Sequence, residues 1–293
     1  MRFRDWATRV MLIFLMFAAL ILALFIGKGA QLKNQTATLN PDDTVWNQYP
    51  TVQLQSATAS GDKSQSLPKS PQKTNKIVAR YTTTQAFARY KPSFAAVAVH
   101  PSNYGERYAQ DVNGVPVNNQ AIIVIHETSN SASSAINFFQ TPHSDESVQA
   151  SYHAMIRQDG TVIYLVPPSK RAFGAANSIF YGVNGAETVQ TNPNLPPSVN
   201  NFAYHVSLET PPDAWGDSKI STHSGYSEAQ YNSLAWLIAQ SQVPDERITT
   251  HKIVDHSGKK VDPISFDFNR FFNSLRAFRQ LKPINTANTV KKP

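Results

Sequence analysis

The chain has 293 residues, a formal net charge of +7 and no cysteine, which excludes disulfides, thiol nucleophiles and cysteine-ligated zinc. The positive charge lies in the flanks, because residues 1–77 carry nine Lys or Arg against four Asp or Glu, whereas residues 78–281 are about neutral. This distribution argues against nucleic acid as a partner of the folded part. It suits flexible cationic segments beside an anionic membrane or wall polymer.

Residues 10–26 form an unbroken apolar run that follows three arginines. As a helix the run would be roughly 26 Å long, which is the short end of a membrane span. We predict a single transmembrane anchor at residues 10–27, with a basic cytoplasmic N-terminus at residues 1–9 and the rest of the chain exported. The alternative is a signal peptide that is cleaved to release a secreted protein. The run exceeds a typical h-region, however, and no clear A-x-A site follows it.

The next segment, residues 28–77, is rich in Gln, Ser, Thr, Asn, Pro and Lys and has no apolar periodicity. Such a composition cannot bury enough apolar surface to offset chain entropy, so we predict a disordered linker. Its basic residues could contact anionic wall polymers. A globular domain is predicted at residues 78–281, followed by a flexible basic tail at residues 282–293. We expect a monomer, because no second apolar surface is evident.

Several segments of the predicted domain have the pattern of strands. Residues 121–125 (AIIVI) form a continuous apolar run, as in a strand buried on both faces. Residues 152–166 form two strand-like runs around Asp159-Gly160, which indicates a hairpin. Residues 204–209 (YHVSLE) alternate, which places His205, Ser207 and Glu209 on one face of a strand.

Three segments have the pattern of helices. The first is residues 131–140, and the second begins at a capping box made by Ser227 and Gln230. The third is an aromatic segment with apolar residues at helical spacing between positions 268 and 278. Strands interleaved with helices predict an α/β fold with a mixed central β-sheet flanked by helices.

Three residues stand out as candidates for chemistry: His126 at the end of a buried strand, His251 in TTHKIVD, and Asp262 in KKVDP. Two neutral imidazoles and one carboxylate would leave Zn²⁺ with a net positive charge. A fourth, open position would allow a water molecule to be acidified. Scattered ligands are a weak signal, since a histidine at a strand end is more often a hydrogen-bonded structural residue.

Residues 121 to about 275 resemble the type-2 N-acetylmuramoyl-L-alanine amidases, the family that includes phage amidase lysozymes and peptidoglycan recognition proteins. The matching segments occur in the family's order: IVIHET, SYHAMIRQDGTVIYLVPPSKRAFG, YHVSLET, and then His251 followed eleven residues later by the Asp of K-x-D-P. The resemblance implies a zinc hydrolase that cleaves peptidoglycan at the amide between the lactyl group of N-acetylmuramic acid and L-alanine.

The resemblance also implies residue roles. His126, His251 and Asp262 correspond to the zinc ligands, and Glu209 corresponds to an acidic residue that some members use as general base toward the attacking water. Lys260 corresponds to the lysine that stabilises the oxyanion, and Tyr152 to a tyrosine that assists catalysis. The alternative function is a membrane-anchored module of the same fold that binds peptidoglycan without cutting it. The filled ligand set favours catalysis.

The chain departs from the family pattern at three places. Ile264 follows Pro263 where the family usually has glycine, and Phe268 stands where many members have tryptophan. Residues 175–201 look like an elaborated loop that borders the substrate groove. The histidines at positions 153, 205, 223 and 256 are expected to be structural or exposed.

Overall fold

The computed structural model describes residues 80–217 and 219–282. The predicted anchor, the linker and all but the first residue of the tail lie outside this part. Within the described ranges, no helix combines the length and the apolar character needed to cross a membrane.

A six-stranded mixed sheet forms the centre of the described domain. Its strands are, in spatial order, β11 (Ile248–Thr250), β4 (Ile122–Glu127), β10 (Ala203–Leu208), β5 (Ala154–Ile156), β6 (Val162–Tyr164) and β2 (Phe94–Ala96). Only the contact between β5 and β6 is antiparallel, and the other neighbours are parallel.

Three pairs of short antiparallel strands lie outside this sheet. They are β1 (Tyr81–Thr83) with β12 (Arg279–Leu281), β3 (Tyr104–Glu106) with β7 (Lys170–Ala172), and β8 (Phe180–Gly182) with β9 (Gly185–Glu187). The last pair is a hairpin inside the segment that we predict to be an elaborated loop. The β1–β12 pair joins the beginning and the end of the described domain.

Within the described ranges, five α-helices pack around the strands. They are α1 (Gln85–Arg89), α2 (Ala132–Gln140), α3 (Glu228–Ala239), α4 (His251–Val254) and α5 (Phe268–Phe278). The capping box predicted for α3 is present, because the Ser227 hydroxyl accepts from the backbone N–H of Gln230 and the Gln230 side chain accepts from the backbone N–H of Ser227. At the beginnings of α2 and α5, the side chains of Ser131 and Asp267 each accept from one backbone N–H of the first turn.

The two faces of the sheet have different surroundings. One face packs Ile125, Ile156 and Leu208 against apolar residues of α3 and α5, including Leu234 and Phe271, in one continuous core. All five side chains are fully buried, and each stabilises the fold by about 1.5–3 kcal/mol through the hydrophobic effect. This layer therefore makes the sheet a rigid support for whatever lies on its other face.

The opposite face carries a polar stripe between two smaller apolar clusters. One cluster contains Val124 with Phe202, and the other contains Met155 with Phe139. Between them lie the buried polar residues His126, His153, His205 and Ser207. The alternation of residues 204–209 correctly predicts this arrangement, since Tyr204, Val206 and Leu208 enter the other core.

The predicted secondary-structure elements are confirmed, with small shifts at their ends. The apolar run at residues 121–125 is β4, the two runs around Asp159-Gly160 are β5 and β6, and the aromatic segment is α5. Gly160 has φ +83° in the turn between the two strands. A side chain there would be strained and would meet the backbone of Ala229.

Candidate metal centre

The carboxyl ends of three neighbouring parallel strands bring the candidate residues together. His126 lies near the end of β4, His251 directly follows β11, and Glu209 directly follows β10. Because β11, β4 and β10 are adjacent and parallel, these ends lie along one edge of the sheet. Ligands of open α/β sheets characteristically bind outside the carboxyl ends of the strands.

Two histidines and an aspartate converge at this edge. One potential ligand atom from each of His126, His251 and Asp262 lies within 4.8 Å of the others. The Asp262 carboxylate is 3.0 Å from His251 Nδ1 and 3.5 Å from His126 Nδ1. The structure thus brings together the three ligands that the family resemblance implies, although 136 positions of sequence separate the first from the last.

The loop that carries Asp262 is held on both sides. The backbone N–H of Lys252 donates to the Asp262 carbonyl at 2.8 Å. Beyond the cis Asp262–Pro263 bond, the Ile264 N–H donates to the Glu127 carboxylate at 3.1 Å. The same carboxylate oxygen of Glu127 accepts from the Tyr226 hydroxyl and from His223 Nε2. Glu127, the neighbour of His126 in β4, therefore ties the aspartate loop to the strand that carries the histidine.

Burial and mutual contact perturb the charges at the centre. Burial lowers the pKa of His126 to about 4, while the nearby Asp262 carboxylate opposes this effect and His251 adds to it. Burial would raise the pKa of Asp262, but contacts with His126 and His251 lower it instead. At neutral pH the centre therefore holds an ionised carboxylate and a neutral His126 imidazole, which is the protonation that metal ligands require.

One atom in particular fits a bound cation. His126 Nδ1 is completely buried and has no hydrogen-bond partner among the described residues. A buried polar nitrogen without a partner is costly, and this one points toward a carboxylate and a second imidazole nitrogen. Two nitrogens and one carboxylate oxygen are the donor set of catalytic zinc sites that keep an open fourth position. The residues present therefore fit Zn²⁺.

Tyr152 lies against the centre, with its ring centroid 4.7 Å from that of His126. Burial raises the pKa of its hydroxyl, and the nearby Asp262 carboxylate raises it further. The phenol therefore stays protonated at neutral pH and available as a donor. It also borders a cavity of about 300 Å³, and the other lining residues are Thr128, Ser134, Ala135, Phe138 and Phe139.

Lys260 is exposed on the loop that leads to Asp262. Its charge contributes to the lowered pKa of His126, so its field reaches the centre. The loop is ordered by Asp255, whose carboxylate accepts from the backbone N–H groups of Lys259 at 2.8 Å and Lys260 at 2.9 Å. Burial would raise the pKa of Asp255, yet hydrogen bonds from Ser257 and these N–H groups lower it to about 2.

Glu209 has a different environment from the other predicted residues. Its side chain is buried, and it does not belong to the group of ligand atoms within 4.8 Å. One carboxylate oxygen accepts from the Ala132 N–H at 2.8 Å, and the other accepts from the Gln158 N–H at 3.0 Å. Glu209 therefore clamps the start of α2 to the β5–β6 turn. Its role as a general base stays a prediction.

His205, which has no role predicted from the sequence, contacts the centre. His205 is completely buried, and its Nδ1 is 2.9 Å from His126 Nε2. The available signal was the alternation of residues 204–209, which places this histidine on the polar face of a central strand. Of the other histidines, His153 is buried behind His205, and His256 is exposed.

Comparison with solved structures finds similar chains of low identity. A selenomethionine derivative of AmpD is 23% identical, with a TM-score of 0.41, over 61% of this chain and 94% of that one. AmpD of Citrobacter freundii is 21% identical, with a TM-score of 0.38, over 61% of this chain and 90% of that one. AmiD of E. coli, solved with anhydro-N-acetylmuramic acid-L-Ala-D-gamma-Glu-L-Lys, is 17% identical over 59% of this chain and 65% of that one, with a TM-score of 0.41.

The decisive comparison is with sequence families. No curated protein matches the chain. The family described as N-acetylmuramoyl-L-alanine amidase matches residues 116–265, a range that begins before β4 and includes all three residues of the candidate metal centre. This range is about half of the chain and confirms the resemblance drawn from the motifs. The chain belongs to the type-2 N-acetylmuramoyl-L-alanine amidase family and is a hydrolase.

Proposed function

We propose that this protein is a zinc-dependent amidase that hydrolyses peptidoglycan between the lactyl group of N-acetylmuramic acid and the L-alanine of the stem peptide. The family assignment supports cleavage at this amide bond. The observation that carries the zinc dependence is the fully buried His126 Nδ1. Among the described residues it makes no hydrogen bond, it lies 3.5 Å from the Asp262 carboxylate, and it belongs to a cluster of potential ligands with His251 and Asp262. These three residues would hold the ion.

A Zn²⁺ ion held by two imidazoles and a carboxylate supplies Lewis-acid chemistry, which polarises an amide carbonyl and acidifies water. The protein supplies the remaining groups. Lys260 carries a positive charge whose field reaches the centre, where negative charge develops on the carbonyl oxygen as water adds. Tyr152 keeps its proton and can donate a hydrogen bond beside His126. Hydrolysis adds one water and yields the lactyl carboxylate and the free amino group of L-alanine.

The cavity beside Tyr152 supplies a place for part of the substrate. Its lining combines the hydroxyls of Thr128 and Ser134 with the aromatic rings of Phe138 and Phe139. The Phe138 ring is 40% exposed and stacks on His143 with a centroid distance of 4.3 Å. A binding site with apolar walls and a few polar groups is typical of small-ligand recognition. We therefore place one side of the substrate groove along α2.

The proposal is tested by incubating the purified full-length chain with peptidoglycan before and after treatment with a chelator. The expected result is free N-terminal L-alanine that disappears on chelation and returns when zinc is added. The variants His126→Ala and Asp262→Ala should lose both bound zinc and activity. The exposed residue His256 offers a matched control, since His256→Ala should keep both.

Three results would contradict this proposal. Activity in a metal-free His126→Ala protein would remove the metal from the reaction. Release of a different end group, such as a reducing sugar, would show that the enzyme cleaves another bond of peptidoglycan, even if zinc were required. Wall binding without any cleavage by the zinc-loaded chain would favour the non-catalytic module instead.

We also propose that residues 10–27 anchor the protein in the cell membrane and place residues 78–281 outside the cytoplasm. The unbroken apolar run and the preceding arginines support this topology. Cell fractionation should find the full-length chain with the membranes. A shortened chain in the soluble fraction would show that the run is a cleaved signal.

A further inference from the structure

A second buried histidine lies behind the first candidate ligand. In the parallel pairing of β4 and β10, His126 is next to Ser207 and Val124 is next to His205. His205 therefore projects from the same face of the sheet as His126 and reaches it from the neighbouring strand. One ring nitrogen of His126 faces Asp262, and the other lies 2.9 Å from His205 Nδ1.

The direction of this hydrogen bond follows from the proposed metal site. A neutral imidazole has one N–H donor and one nitrogen acceptor. If His126 Nδ1 gives its lone pair to a metal, the ring proton must lie on Nε2, which then donates to His205 Nδ1. The proton of His205 consequently lies on its own Nε2, an atom without a hydrogen-bond partner in the described part of the chain.

The ring of His205 is held in place by its surroundings. A Cβ atom added at Gly174 would lie only 2.4 Å from Cγ and Nδ1 of His205, so glycine is needed for this close approach. On the other side, the His205 backbone N–H donates to His153 Nδ1 at 2.9 Å, and the two imidazole rings are nearly parallel. The position of His205 Nδ1 beside His126 is therefore fixed.

We propose that His205 is a positioning residue that fixes the tautomer and orientation of His126 as a metal ligand. The inference rests on the proposed metal site and goes beyond it, because His205 contacts His126 and not the metal. Hydrogen-bond partners of metal-ligating histidines are usually carboxylates, carbonyls or waters, and their loss typically costs about 10–100-fold in metal affinity. In this protein a neutral histidine takes that place.

The experiment measures the zinc affinity of the full-length chain by competition with a chromophoric chelator. His205→Leu keeps much of the side-chain volume but removes the acceptor, and we expect the zinc affinity to fall about 10–100-fold. His205→Asn places an oxygen near the position of Nδ1 and should retain most of the affinity. Gly174→Ala keeps the histidine but displaces its ring, and should weaken zinc binding as His205→Leu does.

Two further measurements separate positioning from general stability. Unfolding of the metal-free variants reports any structural loss, and the proton chemical shift of the His126 Nε2–H group in the zinc-loaded protein reports whether this group donates a hydrogen bond. The inference expects a downfield, hydrogen-bonded Nε2–H in the wild type and an upfield shift in His205→Leu. A merely structural role would lower the unfolding midpoint and leave this chemical shift unchanged.

Several outcomes would overturn the inference. Wild-type zinc affinity in His205→Leu would do so, and so would equal losses in the Leu and Asn variants. If His205→Leu does not fold, the remaining pair decides, because Gly174→Ala must then bind zinc more weakly than His205→Asn. A wild-type chain that binds no zinc would instead refute the proposed function, which keeps the two failures distinguishable.

Discussion

Glu209 offers a direct test of whether a residue at a predicted catalytic position acts in the chemistry or in the architecture. Its two carboxylate oxygens accept from the N–H groups of Ala132 and Gln158 at 2.8 and 3.0 Å. Hydrogen bonds to a charged group contribute about 1.5–3 kcal/mol each, and a buried donor left without a partner is costly. Glu209→Ala should therefore lower the free energy of unfolding by about 3–5 kcal/mol.

The variant Glu209→Gln is the sharper perturbation, because it keeps the shape and one acceptor oxygen. Its amide nitrogen would face a backbone N–H, so one of the two hydrogen bonds is lost, at a cost of about 2 kcal/mol. With an m-value of about 2 kcal/mol/M, the urea midpoint should fall by about 1 M. Glu228→Gln is the matched control, since Glu228 is exposed in the first turn of α3 and its change should stay within about 0.5 kcal/mol.

The assay combines urea unfolding of the metal-free chain with zinc content and turnover per folded molecule. If Glu209 acts only by joining α2 to the β5–β6 turn, Glu209→Gln should have a lower urea midpoint. At low urea, its turnover and zinc content should be close to those of the wild type. The reasoning is refuted if Glu209→Gln unfolds at the wild-type midpoint but loses turnover more than about 100-fold with zinc bound, an effect of the size expected for a general base. That result would establish the role implied by the family resemblance.

Three other variants test separate parts of the structure. Lys260→Ala should lower kcat about 100–1,000-fold with zinc retained. The control Lys259→Ala should leave kcat unchanged. Equal effects of the two variants on kcat would exclude a specific role for Lys260. Phe138→Ala should raise KM several-fold with little change in kcat, and an unchanged KM would remove the α2 cavity from the substrate groove. Glu187→Gln should destabilise the protein at pH 7 by about 1–3 kcal/mol, because Arg247 lowers the pKa of the Glu187 carboxyl through a paired contact. A lowered pKa gives its full stabilisation above the unfolded-state pKa, and this stabilisation is lost as pH falls through the lower folded-state pKa. The difference should therefore shrink as pH falls below about 4, and a difference that does not shrink there would contradict the ion-pair explanation.

The sequence predicted the elements whose pattern is local. The spacing of Phe271, Leu275 and Phe278 is sufficient to identify α5, and the Ser227–Gln230 capping box marks the beginning of α3. The three-residue strands β2 and β11 were not predicted, since three residues carry too little periodicity. They become strands because their neighbours β6 and β4 offer unpaired edges, which is a tertiary effect.

The candidate site divides in the same way. The motif order identified His126, His251 and Asp262, and the structure brings them together. The sequence did not reveal that His205 contacts His126, because this depends on the register between β4 and β10 and on the space left by Gly174. The alternation of residues 204–209 also places Glu209 correctly on the polar face. Its two hydrogen bonds could not be predicted, because the backbone donors belong to segments distant in the sequence.

The pairing of β1 with β12 has a mechanical consequence. Tyr81 lies opposite Leu281, so the chain enters and leaves the domain at neighbouring points of one ribbon. A force that pulls these two points apart would separate the ribbon one hydrogen bond at a time, and the six-stranded sheet would carry no load until the ribbon had opened. Adjacent ends also make a domain easy to insert into a surface loop of another protein. We therefore expect that the described domain can be inserted into another protein as a unit. The strands that carry the candidate metal centre, β4, β10 and β11, are not part of the β1–β12 pair at its ends.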